Sequence, residues 1–154
     1  MSSVNEYGQP ISNDLSEWEA PPFPEKEIID GQFCRLEPLD ADAHADGLFA
    51  ANARSENDAN WTYLPYCQPS DVDAYSDWVH SVWAANDPQF FAVILKSTEQ
   101  VAGVLRYLRI EPEIGSIEVG HIHFSELIQR TSAATEAIFL MMNRAFELGY
   151  RRFE

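Results

Sequence analysis

The chain has 154 residues, 45% hydrophobic and 12% aromatic, which suffices for one domain with its own core and leaves no room for two ordinary ones. A formal net charge of −15 repels phosphate backbones and anionic lipid, arguing against nucleic acid and membranes as partners; it either draws in cationic amines or serves solubility alone. No apolar run approaches the ~20 residues of a bilayer span, and the polar start Met1 to Glu17 has no basic segment followed by an apolar one, so a soluble, cytoplasmic protein is expected.

Residues 1–28 mix Ser, Asn, Glu and Pro around Trp18 and Phe23 without a sustained period, and are expected to form an extended arm over a domain spanning 29–154. Gln32 to Leu36 alternates polar and apolar residues as a strand does; Pro38 and Asp40 stop it and open a helix over Ala41 to Arg54. Ser70 with Asp73 forms a capping box for a second helix carrying Val72, Tyr75, Val79, Val82 and Trp83, ended by Asn86-Asp87-Pro88. Phe90 to Leu95 and Val101 to Ile110 read as a hairpin, and Ile114 to Phe124 as a third antiparallel strand. Thr131 to Leu148 has apolar residues at helical spacing, closed by Gly149, and Tyr150 to Phe153 restarts a strand. The predicted order is βααβββα plus a short strand, in the α+β class. Cys34 and Cys67 make neither a disulfide framework nor a metal-spaced pair and are expected as reduced thiols.

One strand changes phase. Its apolar positions are Ile117 and Val119, then Ile122 and Phe124, so the period of two slips near Gly120. A β-bulge at Gly120-His121 accounts for the slip and places Glu118, His121 and His123 on one face. That face reads in three ways: a general base, most simply Glu118, taking a proton from an attacking amine; a solvated polar face; or a metal site built on Glu118, His121 and His123.

Downstream, Gln129-Arg130-Thr131-Ser132-Ala133-Ala134-Thr135 is small and hydroxylated where the long helix begins. Free N–H groups there, with the positive end of the helix dipole and the Arg130 side chain, suit a pyrophosphate. The same residues also suit an ordinary capped helix start.

The run from Glu118 through Ser125, followed by Gln129 to Ala137, resembles the central motif of the GNAT N-acetyltransferases, in the branch of the RimJ and RimL ribosomal-protein acetyltransferases. The family pattern is Gln or Arg, two free positions, Gly, one free position, then Gly or Ala; here Gln129, Ser132 and Ala134 stand in those places, with Ser132 departing from glycine. The likeness extends upstream through Phe33 to Leu39 and Trp61 to Tyr66. It implies a GNAT fold, a mixed and mostly antiparallel sheet with flanking helices. It also implies acetyl-CoA as co-substrate, its pyrophosphate on Gln129, Arg130, Thr131, Ser132, Ala133, Ala134 and Thr135, and its pantetheine arm on the backbone of Ile122, His123 and Phe124. Glu118 and His121 become the candidate catalytic residues and Trp61, Tyr63 and Tyr66 the acceptor side, although a buried aromatic cluster is the alternative for that loop.

The reaction implied is acetyl transfer to a protein N-terminus, polyamine or small amine. Family members continue with another helix and two more strands, the helix often carrying a tyrosine that acts as acid. The chain is therefore expected to be a C-terminally truncated GNAT domain whose exposed sheet edge takes a partner or a second copy. A non-catalytic acyl-CoA-binding or partner-binding remnant, and a metal-dependent enzyme on Glu118, His121 and His123, are the alternatives.

Overall fold

A computed structural model describes residues 3–12 and 14–154. A small antiparallel hairpin, β1 (Ser3–Val4) with β2 (Pro10–Ile11), stands apart from a six-stranded sheet in the order β3 (Ile29–Asp30), β4 (Cys34–Pro38), β5 (Gln89–Leu95), β6 (Gln100–Glu111), β7 (Ser116–Phe124), β8 (Arg152–Phe153). Neighbours are antiparallel except β7 and β8, which run parallel. This is the expected α+β sheet with three helices. The hairpin and β3 lie in polar, Pro-containing stretches without a sustained period and are not among the predicted elements.

Helix α1 (Ala41–Asn52) starts where the Asp40 carboxylate accepts from the Ala43 N–H at 2.9 Å. Helix α2 (Val72–Trp83) is capped by Asp71, not by the predicted Ser70 box: Asp71 accepts from the Ala74 N–H at 2.8 Å, and Ser70 donates to the Asp71 carboxylate instead. Asp is as good a cap as Ser and stands one residue closer to the helix, so it wins the orphan N–H. Helix α3 (Ser132–Leu148) is capped by Thr131 and closed by Gly149 at φ 102, where the Tyr150 N–H returns to the Ala145 carbonyl at 3.1 Å. Two strand limits also differ from expectation. Pro38 is the last residue of β4 rather than its stop, and Pro112–Ile114 form a short 3-10 turn, with Gly115 left-handed at φ 67, before β7 begins at Ser116.

The sheet separates two cores. On one face α3 sets Ala133, Ala137, Met141 and Ala145 against Phe91, Leu105, Tyr107 and Ile117. Three alanines bring this helix close to the strands, and each fully buried large side chain contributes roughly 1.5–3 kcal/mol. On the other face α1 and α2 cover Phe90, Ala92, Ile94 and Val104 with Leu48, Tyr75, Val79 and Trp61, the last residue of a 3-10 turn over Asp58–Trp61. The segment before β3 lies along the domain: Gln89 donates to the Pro24 carbonyl at 2.8 Å, Tyr150 to that of Pro22 at 3.3 Å, and the Arg151 guanidinium lies over the Trp18 ring.

Candidate active site

The phase slip is a bulge. Gly120 pairs with Arg106 and His123 with Val104, so His121 and Ile122 together oppose the single residue Leu105. His121 takes φ 48, a left-handed conformation uncommon for a residue with a Cβ and costly by roughly 1–3 kcal/mol, which surrounding contacts must offset. The extra residue turns His121 to the α1/α2 face, next to His123, while Ile122 and Phe124 turn to the α3 face.

On the α1/α2 face the histidines meet aromatic rings rather than water. His121 stacks on Tyr66 and Trp78, lies edge-on to Phe90, and has the Tyr66 hydroxyl against both ring nitrogens, nearest to Nε2 and 2.9 Å from Nδ1. His123 is buried, its ring centroid 3.9 Å from that of Trp61, with the Asn60 amide 3.1 Å from Nε2. Burial pushes both imidazoles down to about 4, His121 a little further disfavoured by its neighbour His123, so both are neutral near pH 7. The solvated polar face considered from sequence is thus replaced by a desolvated one. Glu118 stands on this face before the bulge. Its Oε2 is held by Arg109 Nη1 at 2.7 Å, and its Oε1 leans over Gly120, 3.6 Å from where a Cβ there would sit.

On the α3 face a cleft of about 610 Å³ runs between the end of β7, at Ile122 and Phe124, and the start of α3, at Arg130, Thr131, Ser132, Ala134 and Thr135. β8 and the residue after it pair with β7 only over Ser116–Val119, so Gly120–Phe124 keeps an open edge beside this cleft among the described residues. Arg130, left-handed at φ 60, turns the chain into the helix. The Thr131 hydroxyl accepts from the Ala134 N–H at 3.4 Å, and the amides of Ser132 and Ala133 are left as first-turn donors with no partner among the described residues. Gln129 is drawn away from the cleft: its amide donates to the Phe124 carbonyl at 2.8 Å, which Asn60 also caps at 2.8 Å. Ala133 is buried, its carbonyl 3.5 Å from the Cys34 thiol.

A bulged strand beside a helix start that offers free amides is the arrangement the GNAT resemblance anticipates, and the family comparison decides it. The model of the acetyltransferase (GNAT) domain matches residues 34–154. The chain belongs to the GNAT acetyltransferase family. It is 42% identical to a GCN5-related N-acetyltransferase from Brucella melitensis, with a TM-score of 0.87 over 90% of this chain and 63% of that one. It is 38% identical to a GNAT-family chain from Chromobacterium violaceum, with a TM-score of 0.82 over 94% and 72%. A RimL ribosomal-protein N-acetyltransferase solved with coenzyme A shares the fold at 19% identity, with a TM-score of 0.65 over 82% and 72%. The chain spans 63% of the length of the Brucella melitensis protein. No curated protein matches it, and no helix among the described residues is long and apolar enough to cross a membrane.

Within this GNAT domain most of the predicted residues fall into three groups, with Glu118, Gln129 and Ala133 outside them. Ile122, Phe124, Arg130, Thr131, Ser132, Ala134 and Thr135 line one cleft; Trp61, Tyr66, His121 and His123 join one aromatic cluster; and Tyr63, 98% exposed, joins neither. The alternative metal set does not converge. Glu118 turns to Arg109, His121 to Tyr66 and His123 to Asn60, and among the described residues no three His, Cys, Asp or Glu side chains gather. Sequence reasoning missed Arg106, Arg109, Asn60 and Trp78. The available signal was Arg106, a lone cation inside the apolar run Val101 to Leu108.

Proposed function

We propose that this chain binds acetyl-CoA in the cleft between β7 and α3 and N-acetylates a primary amine, in the cytoplasm, with Glu118 accepting the amine proton. The observation that carries the reading is the joining of the open β7 edge to a helix start with unpartnered amides in one cleft. The fit is chemical. First-turn N–H groups of Ser132 and Ala133, with Arg130 beside them, suit a pyrophosphate, and the unpaired edge of Gly120–Phe124 suits an amide-bearing arm. Acetyl-CoA supplies the acetyl thioester. The chain supplies the electrostatics and the base: edge N–H groups at the bulge are the donors aimed where a carbonyl oxygen gains charge. His121, neutral near pH 7 and a weak base, packs the site, whereas Glu118 leans over Gly120 on the acceptor side. Trp61 and Tyr66 wall that side, and the outer edge of the sheet at β8 is where a second copy or a partner strand would add.

Acceptor chemistry spans a protein N-terminus, a polyamine or a small amine, all compatible with the net charge of −15. Calorimetry with acetyl-CoA, followed by thiol release in the presence of amines, tests the reading. Binding with amine-dependent release of coenzyme A is expected. Absence of acetyl-CoA binding would overturn it, and binding without turnover would favour a remnant that only holds acyl-CoA.

A further inference from the structure

Three arginines of the described chain are partly buried, and two of them are ion-paired: Arg35 with Glu37 and Glu99, and Arg144 with Glu27. The third, Arg106, forms neither an ion pair nor a hydrogen bond among the described residues, and its Nε is sealed from solvent without a partner. A partly buried cation without an anion loses solvation that nothing repays, so the group calls for a partner that the described residues do not provide. The surroundings show where that partner would sit. Arg106 lies opposite Gly120 in the β6–β7 ladder, with its guanidinium 5.1 Å from the centroid of the Phe90 ring. The same Phe90 ring meets the edge of His121. Gly120 has no side chain, and over its Cα the Leu108 side chain and Glu118 Oε1 come within 3.0 and 3.6 Å of where a Cβ would sit, so Glu118 and Arg106 are separated there only by glycine and the Leu108 side chain.

The charged groups around Arg106 leave it uncompensated. Burial pushes its guanidinium down from the ordinary value, and the Asp87 and Glu118 carboxylates offset this only in part. Asp87 is committed to the Ile110 N–H at 3.0 Å and Glu118 to Arg109 at 2.7 Å, so neither closes on Arg106.

We infer that Arg106 is the anchor for a carboxylate on the acceptor, so the acceptor is an amino carboxylate. It would place its amine toward Glu118 and its carboxylate on Arg106, passing beside Gly120 and the Leu108 side chain. The two side chains stand on the diagonal of an antiparallel pair, about 7–8 Å apart at the backbone, so their tips can converge on one small zwitterion. A planar guanidinium backed by an aromatic face matches a carboxylate in two parallel hydrogen bonds. A zwitterion also meets less repulsion from the acidic surface than a simple anion does. The inference rests on the acetyl-transfer reading above and narrows it from any primary amine to one bearing a carboxylate nearby.

Glycine against glycinamide, and the peptide amides Asp-Ala-Ala against Ala-Ala-Ala, test it with acetyl-CoA present. The first pair represents a free amino acid and the second an acidic protein N-terminus. The expected result is a kcat/KM at least about tenfold higher for the carboxylate member of one pair, carried mainly by KM. Arg106→Gln should collapse that ratio toward one, and Arg106→Lys, which keeps the charge and the stem, should restore part of it. Equal turnover of both members by the unaltered chain, or an Arg106→Gln variant that still folds and keeps the ratio, overturns the inference. If acetyl-CoA binds but nothing is acetylated, the transfer reading fails; calorimetric binding of glycine over glycinamide to the coenzyme A complex then decides the anchor by itself.

Discussion

The two faces of the sheet solve burial differently. Toward α3 the sheet is covered by Ala133, Ala137, Met141 and Ala145, and its polar groups are closed off: the Tyr107 hydroxyl donates to the Met141 carbonyl at 2.5 Å, and burial pushes the Cys34 thiol up to about 12 with help from Glu136. These groups stay neutral over the whole ordinary pH range. Toward α1 and α2 the cover is aromatic, and it encloses His121, His123 and Arg106, whose charged forms are all disfavoured by burial. The packed centre of the α3 face therefore acts as a floor, with the cofactor cleft at its rim, while the aromatic face encloses groups whose charge depends on pH or on a charged ligand. The β7 bulge connects them, because a single extra residue sends His121 one way and Ile122 the other.

Substitutions that separate rate from stability test this division most strongly. Glu118→Gln should lower acetyl transfer by about 10²–10⁴-fold. Its partner Arg109 is exposed, so losing the pair should change stability little. A comparable loss of folding stability would break the comparison, because Glu118 would then be a structural residue. Met141→Ala is the converse case. It empties a site with 0% exposure on the α3 face and should cost about 2–5 kcal/mol in urea denaturation at any pH from 5 to 8.

The third effect belongs to the aromatic face and has a fixed sign. His121 and His123 take a proton near 6.5 in the unfolded chain but only near 4 in the fold, so between these values the unfolded state holds more protons. Stability should therefore rise as pH goes from about 4 to 6.5 and level off above, each histidine accounting for something on the order of 3 kcal/mol. Glu136 adds a separate loss at lower pH. Burial alone would raise its carboxyl, but the N–H groups of Gln32, Phe33 and Cys34 hold it below the ordinary value. Denaturation midpoints across pH 4–7 check the histidine contribution, and His123→Gln should remove about half of the slope.

The legible parts of this molecule were those written in periodicity. The slip at Gly120 could be seen because alternation has a fixed period, and the helix ends at Thr131 and Gly149 because caps have a narrow chemistry. The cap of α2 is not legible because Ser70 and Asp71 are adjacent and equally able, and only geometry separates them. The aromatic cluster was only half visible. Trp61 and Tyr66 were named, but their meeting with Trp78 and His121 depends on how α2 crosses the sheet, which no local pattern records. Arg106 is hidden for a related reason: its position in β6 shows that it is enclosed, but not that no described residue pairs with it.

The smallest expected effect separates the two readings of the α3 start, as a capped helix and as an anion site. Thr131 caps through a long 3.4 Å contact to the Ala134 N–H and also donates to the Ile128 carbonyl at 2.6 Å. Thr131→Ala should cost about 1 kcal/mol, measured as a lowered denaturation midpoint. The amides of Ser132 and Ala133 do not depend on that hydroxyl, so saturating acetyl-CoA should raise the melting temperature of the variant as much as that of the unaltered chain. If the ligand-induced rise disappears with the cap, the Thr131 side chain is itself part of the anion site. Cap and cofactor cradle would then be one device, and the α3 face would be tied to the chemistry as directly as the aromatic face.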